Sequence, residues 1–268
     1  MLTAAAPGAR AASPAVRAAE AFLARLFPAP RHFDVRLWDG TVLPAQGAST
    51  FTLAVNAPGS LRRMFRVPLA LSLGEAYVRG DFEIEGEVWA AAPGMQAYRD
   101  AVRSGRRLPE YFAHVYGVVK PGGLFLNHGI GGRVSPGRSV RRAAAGVLTE
   151  RLVGSAEFRR RYIFPTGELV SVSEANLAAE RAGFEVRDVE NLREHYARTL
   201  RLWAQGLDAN RDEAVRIGGM AMYRLRRIHL GVAAWQFEAG HLTLNQTLLA
   251  RLDGGRASVP WSRGDLYA

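Results

Sequence analysis

The sequence contains no cysteine in its 268 residues. Disulfide bonds, thiolate zinc sites and cysteine nucleophiles are therefore excluded. No apolar run approaches the roughly 20 residues that a membrane-spanning helix needs. The first 27 residues are rich in alanine, but prolines and arginines interrupt them, so they lack the continuous apolar core of a signal peptide. Together these absences predict a cytoplasmic protein without a membrane span.

Lysine is also scarce, since Lys120 is the only one, yet the chain carries a net charge of +10. The basic residues are therefore nearly all arginine, which indicates either a compositional bias or a basic surface. A basic surface favours nucleic acid or an anionic membrane as partner. Aromatic residues do not interleave with the arginines as base-stacking platforms would, so no nucleic-acid partner is expected. No metal site is predicted.

The periodicity of apolar residues divides the chain into four parts. Residues 1–27 are predicted to be a flexible N-terminus with a short helix. Residues 28–92 mix strand and helix patterns and predict a small α+β module. Residues 93–107 are polar and basic and predict a linker. Residues 108–268 form the second structured part.

Local signals mark several boundaries within these parts. Residues 33–37 alternate apolar and polar side chains, and Asp39-Gly40 after them is a strong hairpin turn. Ser171 and Glu174 have the spacing of a capping box at the start of a helix. A mostly helical segment over 208–239 is expected to break at Gly218-Gly219.

The stretch Leu108–Ile130 is predicted to form a helix, a turn and a strand. Proline and glycines at 121–123 end the helix. Leu124–Leu126 is a short apolar run, which is typical of a strand covered on both faces. His128 follows it, and ligands bind at the carboxyl ends of strands in open α/β sheets. His128 is therefore a candidate site residue, although a strand-end histidine satisfied by the backbone is the simpler alternative.

The second part alternates helices and strands, which is an α/β layer pattern. Three strands are predicted over residues 124–126, 184–189 and 242–251. Residues 138–161 predict a basic amphipathic helix, which either lies on anionic lipid or has an ordinary solvated face.

Several segments together resemble cyclopropane-fatty-acyl-phospholipid synthases, which are S-adenosylmethionine-dependent methyltransferases. They are VRLWDGT (35–41), APGSLRRMF (57–65), LGEAYVRGDFEIEG (73–86), YFAHVYGVVKPGGLFLNHGI (111–130), YIFPTGEL (162–169), NLREHYARTLRLW (191–203) and RGDLYA (263–268). Each segment alone would be weak, but the combination is distinctive and spans most of the chain from residue 33 onward.

The resemblance implies transfer of a methylene from S-adenosylmethionine to the double bond of an unsaturated phospholipid acyl chain. Family members hold a bicarbonate ion as the base, in a cage that includes a histidine and a tyrosine. The matching residues are His128 and Tyr196, whose imidazole and phenol suit the orientation of an anion. Packing in the core with Leu200 and Trp203 is the alternative for Tyr196.

The resemblance also exposes a gap. Family members carry a glycine-rich S-adenosylmethionine motif between the two parts, but here residues 87–110 connect them directly. That length cannot hold several strand–helix units. The resemblance therefore implies an N-terminal α+β module followed by the C-terminal half of a Rossmann-like class I methyltransferase sheet. No cofactor-binding residue for S-adenosylmethionine is assigned.

Two functions remain open from the sequence. One is a synthase-like methyltransferase of lipid biosynthesis, cytoplasmic and peripherally associated with the inner face of the membrane. The other is a catalytically inactive remnant that binds lipid or a partner. The expected partners are phospholipid acyl chains at an anionic membrane surface, and either a second copy or a complete synthase. The strand at 124–126 is expected to leave an exposed sheet edge.

Overall fold

A computed structural model describes residues 13–66, 69–88, 90–91, 108–132, 155–163, 169–259 and 264. The described residues form two sheets, of four and three strands. Three predicted features lie outside them: the N-terminus before residue 13, the linker over 93–107, and residues 138–154 of the basic helix. Within the described part, no helix is long and apolar enough to cross a membrane.

The first sheet belongs to the N-terminal module. The elements are α1 (Pro14–Leu26), β1 (Asp34–Arg36), β2 (Val42–Leu43), β3 (Phe51–Val55), α2 (Ser60–Met64), α3 (Leu69–Arg79) and β4 (Phe82–Gly86). The strands lie in the order β2-β1-β3-β4, with β1 parallel to β3 and the other pairs antiparallel. The predicted hairpin is confirmed: β1 pairs with β2, and Gly40 in the turn has a φ of 89°, which glycine adopts readily.

The second sheet belongs to the C-terminal part. The elements are α4 (Leu108–Val118), β5 (Leu124–Gly132), α5 (Ser155–Tyr162), α6 (Val172–Arg181), β6 (Glu185–Asn191), α7 (Arg193–Ala209), α8 (Arg211–Glu238) and β7 (Leu242–Ala250). The order is β5-β7-β6, and β7 is antiparallel to both neighbours. The capping box is confirmed at Ser171 and Glu174. The break in the long helix α8 is also confirmed, at Gly219 with a φ of 77°.

Helices cover both faces of this second sheet. On one face, Phe125 and Leu249 pack with α4 and α6 around Phe112 and Phe184. On the other face, Ile130, Leu242 and Leu244 pack with α7 and α8. These three layers confirm the α/β class predicted from the sequence.

The two parts share one core. The cluster around Val35, Val55 and Tyr77 of the N-terminal module also contains Ala204 of α7 and Ile228 of α8. The α+β module therefore buries its apolar face against helices that lie more than a hundred residues later in the chain.

A buried arginine crosses the same boundary. Arg227 of α8 is 8% exposed, and its guanidinium donates to both carboxylate oxygens of Asp208 at 2.9 and 3.1 Å. It also donates to the hydroxyl of Tyr77 and to the carbonyls of Ile84 and Gly86, each at 3.0 Å. Since an unpaired buried charge is costly, these bonds fix the N-terminal module to α7 and α8.

Two predictions about β5 were wrong. The strand does not end at residue 126 but continues through the polar and glycine residues to Gly132. It is also not covered on both faces along its length, because Leu124 is 40% exposed and Leu126 is 51% exposed. The covering helices α7 and α8 reach this face of β5 only at Ile130.

Candidate functional site

His128 lies in the middle of β5, not at its carboxyl end as the sequence suggested. It is exposed, and in the antiparallel register it stands directly opposite Gln246 of β7. The His128 Nδ1 atom lies 3.0 Å from the Gln246 Nε2 atom. A side-chain amide nitrogen only donates, so this amide orientation makes Nδ1 the acceptor and matches the neutral tautomer that carries its proton on Nε2.

The register extends this pair into a polar row across the sheet. Gln246 is paired on its other side with Glu190 of β6, which is exposed. Residues paired directly in a ladder point to the same face. His128, Gln246 and Glu190 therefore lie side by side on one face of the sheet. Sequence reasoning missed the last two, although Asn245-Gln246 is a polar pair in the middle of β7.

Tyr196 lies in the first turns of α7 and is partly buried. Its ring meets Phe237 edge-on with centroids 4.9 Å apart, and it meets Trp203 at 6.0 Å. Burial raises the pKa of the Tyr196 phenol, so the hydroxyl stays protonated at neutral pH. Among the described residues the hydroxyl has no hydrogen-bond partner. The ring therefore packs against Phe237 and Trp203, and the place of the hydroxyl in an anion cage stays a prediction.

The sheet places His128 and Tyr196 on the same side. Side chains two residues apart on a strand point to the same face, so His128 shares a face with Ile130. Ile130 packs in the cluster that contains Tyr196 and Leu244. The two candidate side chains make no hydrogen bond with each other. The structure thus places both side chains on one side of the sheet, and their joint role in holding an anion stays a prediction.

An apolar strip adjoins this surface. Leu124 and Leu126 alternate with the partly buried Phe125 and Asn127 and thus lie on the face of His128. We call Leu124, Leu126 and the outer backbone of β5 the β5 edge. Within the described part of the chain, β5 pairs with no strand except β7, so its other side carries unpaired backbone N–H and C=O groups from Leu124 to Ile130. At Gly132 the backbone N–H donates to the Val170 carbonyl at 3.1 Å.

The described end of the predicted basic helix is α5, which packs on α3. Phe158 is buried, and a side chain at Gly74 would lie 2.2 Å from its ring. The Tyr162 hydroxyl donates to Glu75 Oε1 at 2.8 Å, and Arg161 pairs with the same carboxylate at 3.2 Å. This end of the segment therefore binds the N-terminal module instead of standing free as a basic face.

The described residues offer no place for two other kinds of ligand. They contain no group of three or more histidine, aspartate or glutamate side chains that could hold a metal ion. They also contain no glycine-rich loop between a strand and a following helix of the kind that binds a nucleotide. The described residues therefore provide no site that fits S-adenosylmethionine.

Two family profiles match the chain. Residues 100–247 match mycolic acid cyclopropane synthetase, and residues 19–92 match a domain of unknown function, DUF7884. The first match contains both His128 and Tyr196. The second begins within α1 and covers the whole of the first sheet.

Curated relatives align with part of the chain. A probable fatty acid methyltransferase of Pseudomonas putida is 37% identical over 158 residues, which are 59% of this chain and 37% of the relative. The methoxy mycolic acid synthase MmaA3 of Mycobacterium tuberculosis is 31% identical over 145 residues, which are 54% of this chain and 48% of the relative. The chain thus spans half or less of the length of these relatives.

Solved structures give the same partial coverage. The cyclopropane synthase MmaA2 of Mycobacterium tuberculosis is 26% identical with a TM-score of 0.45, covering 54% of this chain and 50% of that one. The mycolic acid cyclopropane synthase CmaA1, complexed with SAH and CTAB, is 26% identical with a TM-score of 0.47. That match covers 56% of this chain and 52% of the solved one.

Proposed function

The chain belongs to the mycolic acid cyclopropane synthetase family, and on that premise we propose that it takes part in S-adenosylmethionine-dependent methylation of an unsaturated lipid acyl chain. Its three-stranded sheet is the C-terminal half of a Rossmann-like class I methyltransferase sheet. The observation that carries the proposal is the family match over residues 100–247, which includes His128 and Tyr196. A phospholipid is the proposed substrate.

The proposed role of His128 and Tyr196 is to hold the anion that accepts a proton during ring closure. With Nδ1 occupied by Gln246, His128 presents its Nε2–H as a donor. The Tyr196 hydroxyl is a second donor, kept protonated by its raised pKa. Bicarbonate is the proposed anion, and when bound it would supply a base close to the reacting carbon. The protein's part in this step is to orient that base by hydrogen bonds.

The methyl donor requires a second unit, because neither the sequence nor the described residues provide the glycine-rich loop that would bind S-adenosylmethionine. We propose that the missing strands are contributed by another chain, either a second copy or a complete synthase, which pairs with the β5 edge. Strand addition to an exposed edge is an established mode of association, because backbone hydrogen bonds supply the affinity.

The second candidate function is that of a catalytically inactive protein that binds lipid or a synthase. Two observations favour it: the absence of the glycine-rich motif from the sequence, and the open β5 edge. In either case the proposed location is the inner face of the cytoplasmic membrane, where a chain with a net charge of +10 is attracted to anionic lipid.

A methyl-transfer assay distinguishes the two functions. Purified protein is incubated with vesicles of unsaturated anionic phospholipid, bicarbonate and S-adenosylmethionine labelled in its methyl group. The unmodified protein and its His128→Gln variant are each tested alone and mixed with a complete synthase. Label in the acyl chains that exceeds the activity of the synthase alone, and that falls with His128→Gln, supports the methyltransferase. Vesicle cosedimentation without any added label supports the inactive binding protein.

A further inference from the structure

The N-terminal module contains a cavity of about 590 Å³ that the proposed methyl transfer does not use. Five aromatic rings line it: Phe27, Phe33, Phe51, Phe65 and Phe82. Sites for small molecules measure roughly 300–1,000 Å³ and are mostly apolar. The cavity thus has the size and lining of a ligand site.

One wall of this cavity carries a buried cation. Arg31 lines the cavity and is only 8% exposed. Its Nε donates to the Phe33 carbonyl at 2.9 Å, and its Nη2 donates to the carbonyls of Leu43 and Pro44 at 2.9 and 2.8 Å. These three bonds hold the guanidinium in one orientation. Its remaining nitrogen, Nη1, has no hydrogen-bond partner among the described residues.

No carboxylate of the described part forms a salt bridge with Arg31. Asp34 is near enough for Arg31 to help lower its pKa, after the hydrogen bonds from Ala45 and Ser49. The Oδ1 atom of Asp34, however, accepts the backbone N–H of Ala45 at 2.8 Å and does not bond to the guanidinium. A buried cation without an ion-pair partner strongly favours an anion from outside.

The cavity also reaches solvent next to polar groups. His32 lines it and is exposed, and its carbonyl accepts the hydroxyl of Thr50 at 3.0 Å, which fixes the backbone there. Leu26, at the end of α1, lines it as well and is 39% exposed. One exposed apolar side chain and one exposed imidazole thus belong to the lining of the cavity.

We propose that this cavity binds a single long-chain fatty acid anion. The hydrocarbon chain lies between the phenylalanine rings, and the carboxylate bonds to Nη1 of Arg31 and to the imidazole of His32. All lining residues fall between Leu26 and Ala91, so this lipid site is separate in the sequence from His128 and Tyr196. It does not depend on the proposed methyl transfer.

Calorimetry with dodecanoate below its micelle concentration tests the proposal on the full chain. We expect one bound molecule per chain, and we expect dodecanol, which lacks the charge, to bind about tenfold more weakly. Leu73→Trp fills the cavity and should weaken the binding of dodecanoate by about tenfold or more. The matched control is Leu71→Trp on the same helix, which does not line the cavity and should bind as the unmodified protein does.

A photoreactive fatty acid locates the site independently of any variant. Cross-linked peptides from residues 26–91 are the expected result. The proposal is overturned by absence of dodecanoate binding, by cross-links confined to residues 108–259, or by a folded Leu73→Trp variant that binds normally. Dodecanoate binding by an unmodified protein that adds no methyl label to acyl chains, alone or with a complete synthase, defeats only the methyltransferase proposal. The two failures are therefore distinguishable.

Discussion

The side-chain amide of Gln246 lies 3.0 Å from Nδ1 of His128, its cross-strand partner. The two residues are 118 positions apart in the sequence. The amide donates to Nδ1 and thereby selects the tautomer with a proton on Nε2. In this tautomer the neutral imidazole can donate to an anion only from Nε2. Gln246 of the neighbouring strand β7 determines this.

Replacing Gln246 by leucine should remove the preference of His128 for the tautomer with its proton on Nε2. We expect the Gln246→Leu protein to show a mixture of the two His128 tautomers, because no donor remains at Nδ1. Long-range ¹H–¹⁵N correlation spectra, recorded at a pH where the ring is neutral, measure the two populations. Gln205→Leu, an exposed change on α7, is the control. A pure Nε2–H tautomer in Gln246→Leu would show that the amide does not set it.

Two substitutions of Tyr196 should separate the packing role of its ring from the hydrogen-bonding role of its hydroxyl. The Tyr196→Phe change keeps the ring against Phe237 and removes only the hydroxyl, so the urea midpoint should stay within error. Any methyl transfer should fall by roughly 10²-fold if the hydroxyl orients the base. Tyr196→Ala should lower stability as well, by roughly 2–4 kcal/mol, because the ring is only partly buried. Full activity in Tyr196→Phe would restrict this residue to packing.

The β5 edge should drive self-association. Leu126 is 51% exposed beside unpaired backbone groups, and a charge on an edge strand opposes pairing with another strand. We expect the unmodified protein to elute as an oligomer in size-exclusion chromatography with light scattering, and Leu126→Lys to shift it toward monomer. Leu177→Lys, at an equally exposed leucine on α6, should leave the mass unchanged. A monomeric unmodified protein at high concentration contradicts this expectation.

Arg227 should be essential for joining the two parts of the chain. Arg227→Met leaves the carbonyls of Ile84 and Gly86 without their donor, whereas Asp208, whose side chain is 37% exposed, keeps the hydrogen bond from the Tyr223 hydroxyl. Leaving a buried polar group unsatisfied costs about 1–3 kcal/mol, which is a large share of the stability of a typical domain. Urea denaturation followed by circular dichroism measures the loss. Arg198→Met, at an exposed arginine of α7, is the control and should keep the native midpoint.

His229 should make the protein sensitive to mild acid. Burial, aided by the positive charge of Arg226, lowers the pKa of His229 from 6.5 to about 4. Between these values the unfolded chain binds a proton that the folded chain does not, so stability falls as pH drops from 6.5 toward 4. The slope is about 1.4 kcal/mol per pH unit. In the His229→Gln protein, the urea midpoint should change less with pH over this range. In the His195→Gln protein, changed on the exposed side of α7, the pH dependence of the midpoint should stay as in the unmodified protein.

Local signals in the sequence predicted many of the boundaries correctly. The turn at Gly40, the capping box at Ser171 and Glu174, and the break at Gly219 depend on a few adjacent residues, and the structure confirms each. The exposed edge at Leu126 also followed from the sequence, because the family's preceding strands are absent. Signals of this kind are local or compositional, so one sequence suffices to read them.

The position of His128 was predicted wrongly for a reason that is equally physical. Asn127, His128 and three glycines have low strand propensity, which favoured a loop after Leu126. In the structure β7 supplies a complete ladder of partners down to Gly132, and pairing with a neighbour outweighs weak intrinsic preference. Pairing with β7 therefore extends β5 beyond His128.

By itself, the sequence determined the family, the class of fold and two candidate donors, His128 and Tyr196. Motifs and the periodicity of apolar residues are local features, so they can be recognised in one sequence. Only the tertiary structure decided that Gln246 sets the His128 tautomer, that Arg227 fastens the first module to α7 and α8, and that Arg31 stands in the wall of an apolar cavity. Each of these depends on contacts between residues distant in sequence, and no local pattern records which strand or helix will lie opposite.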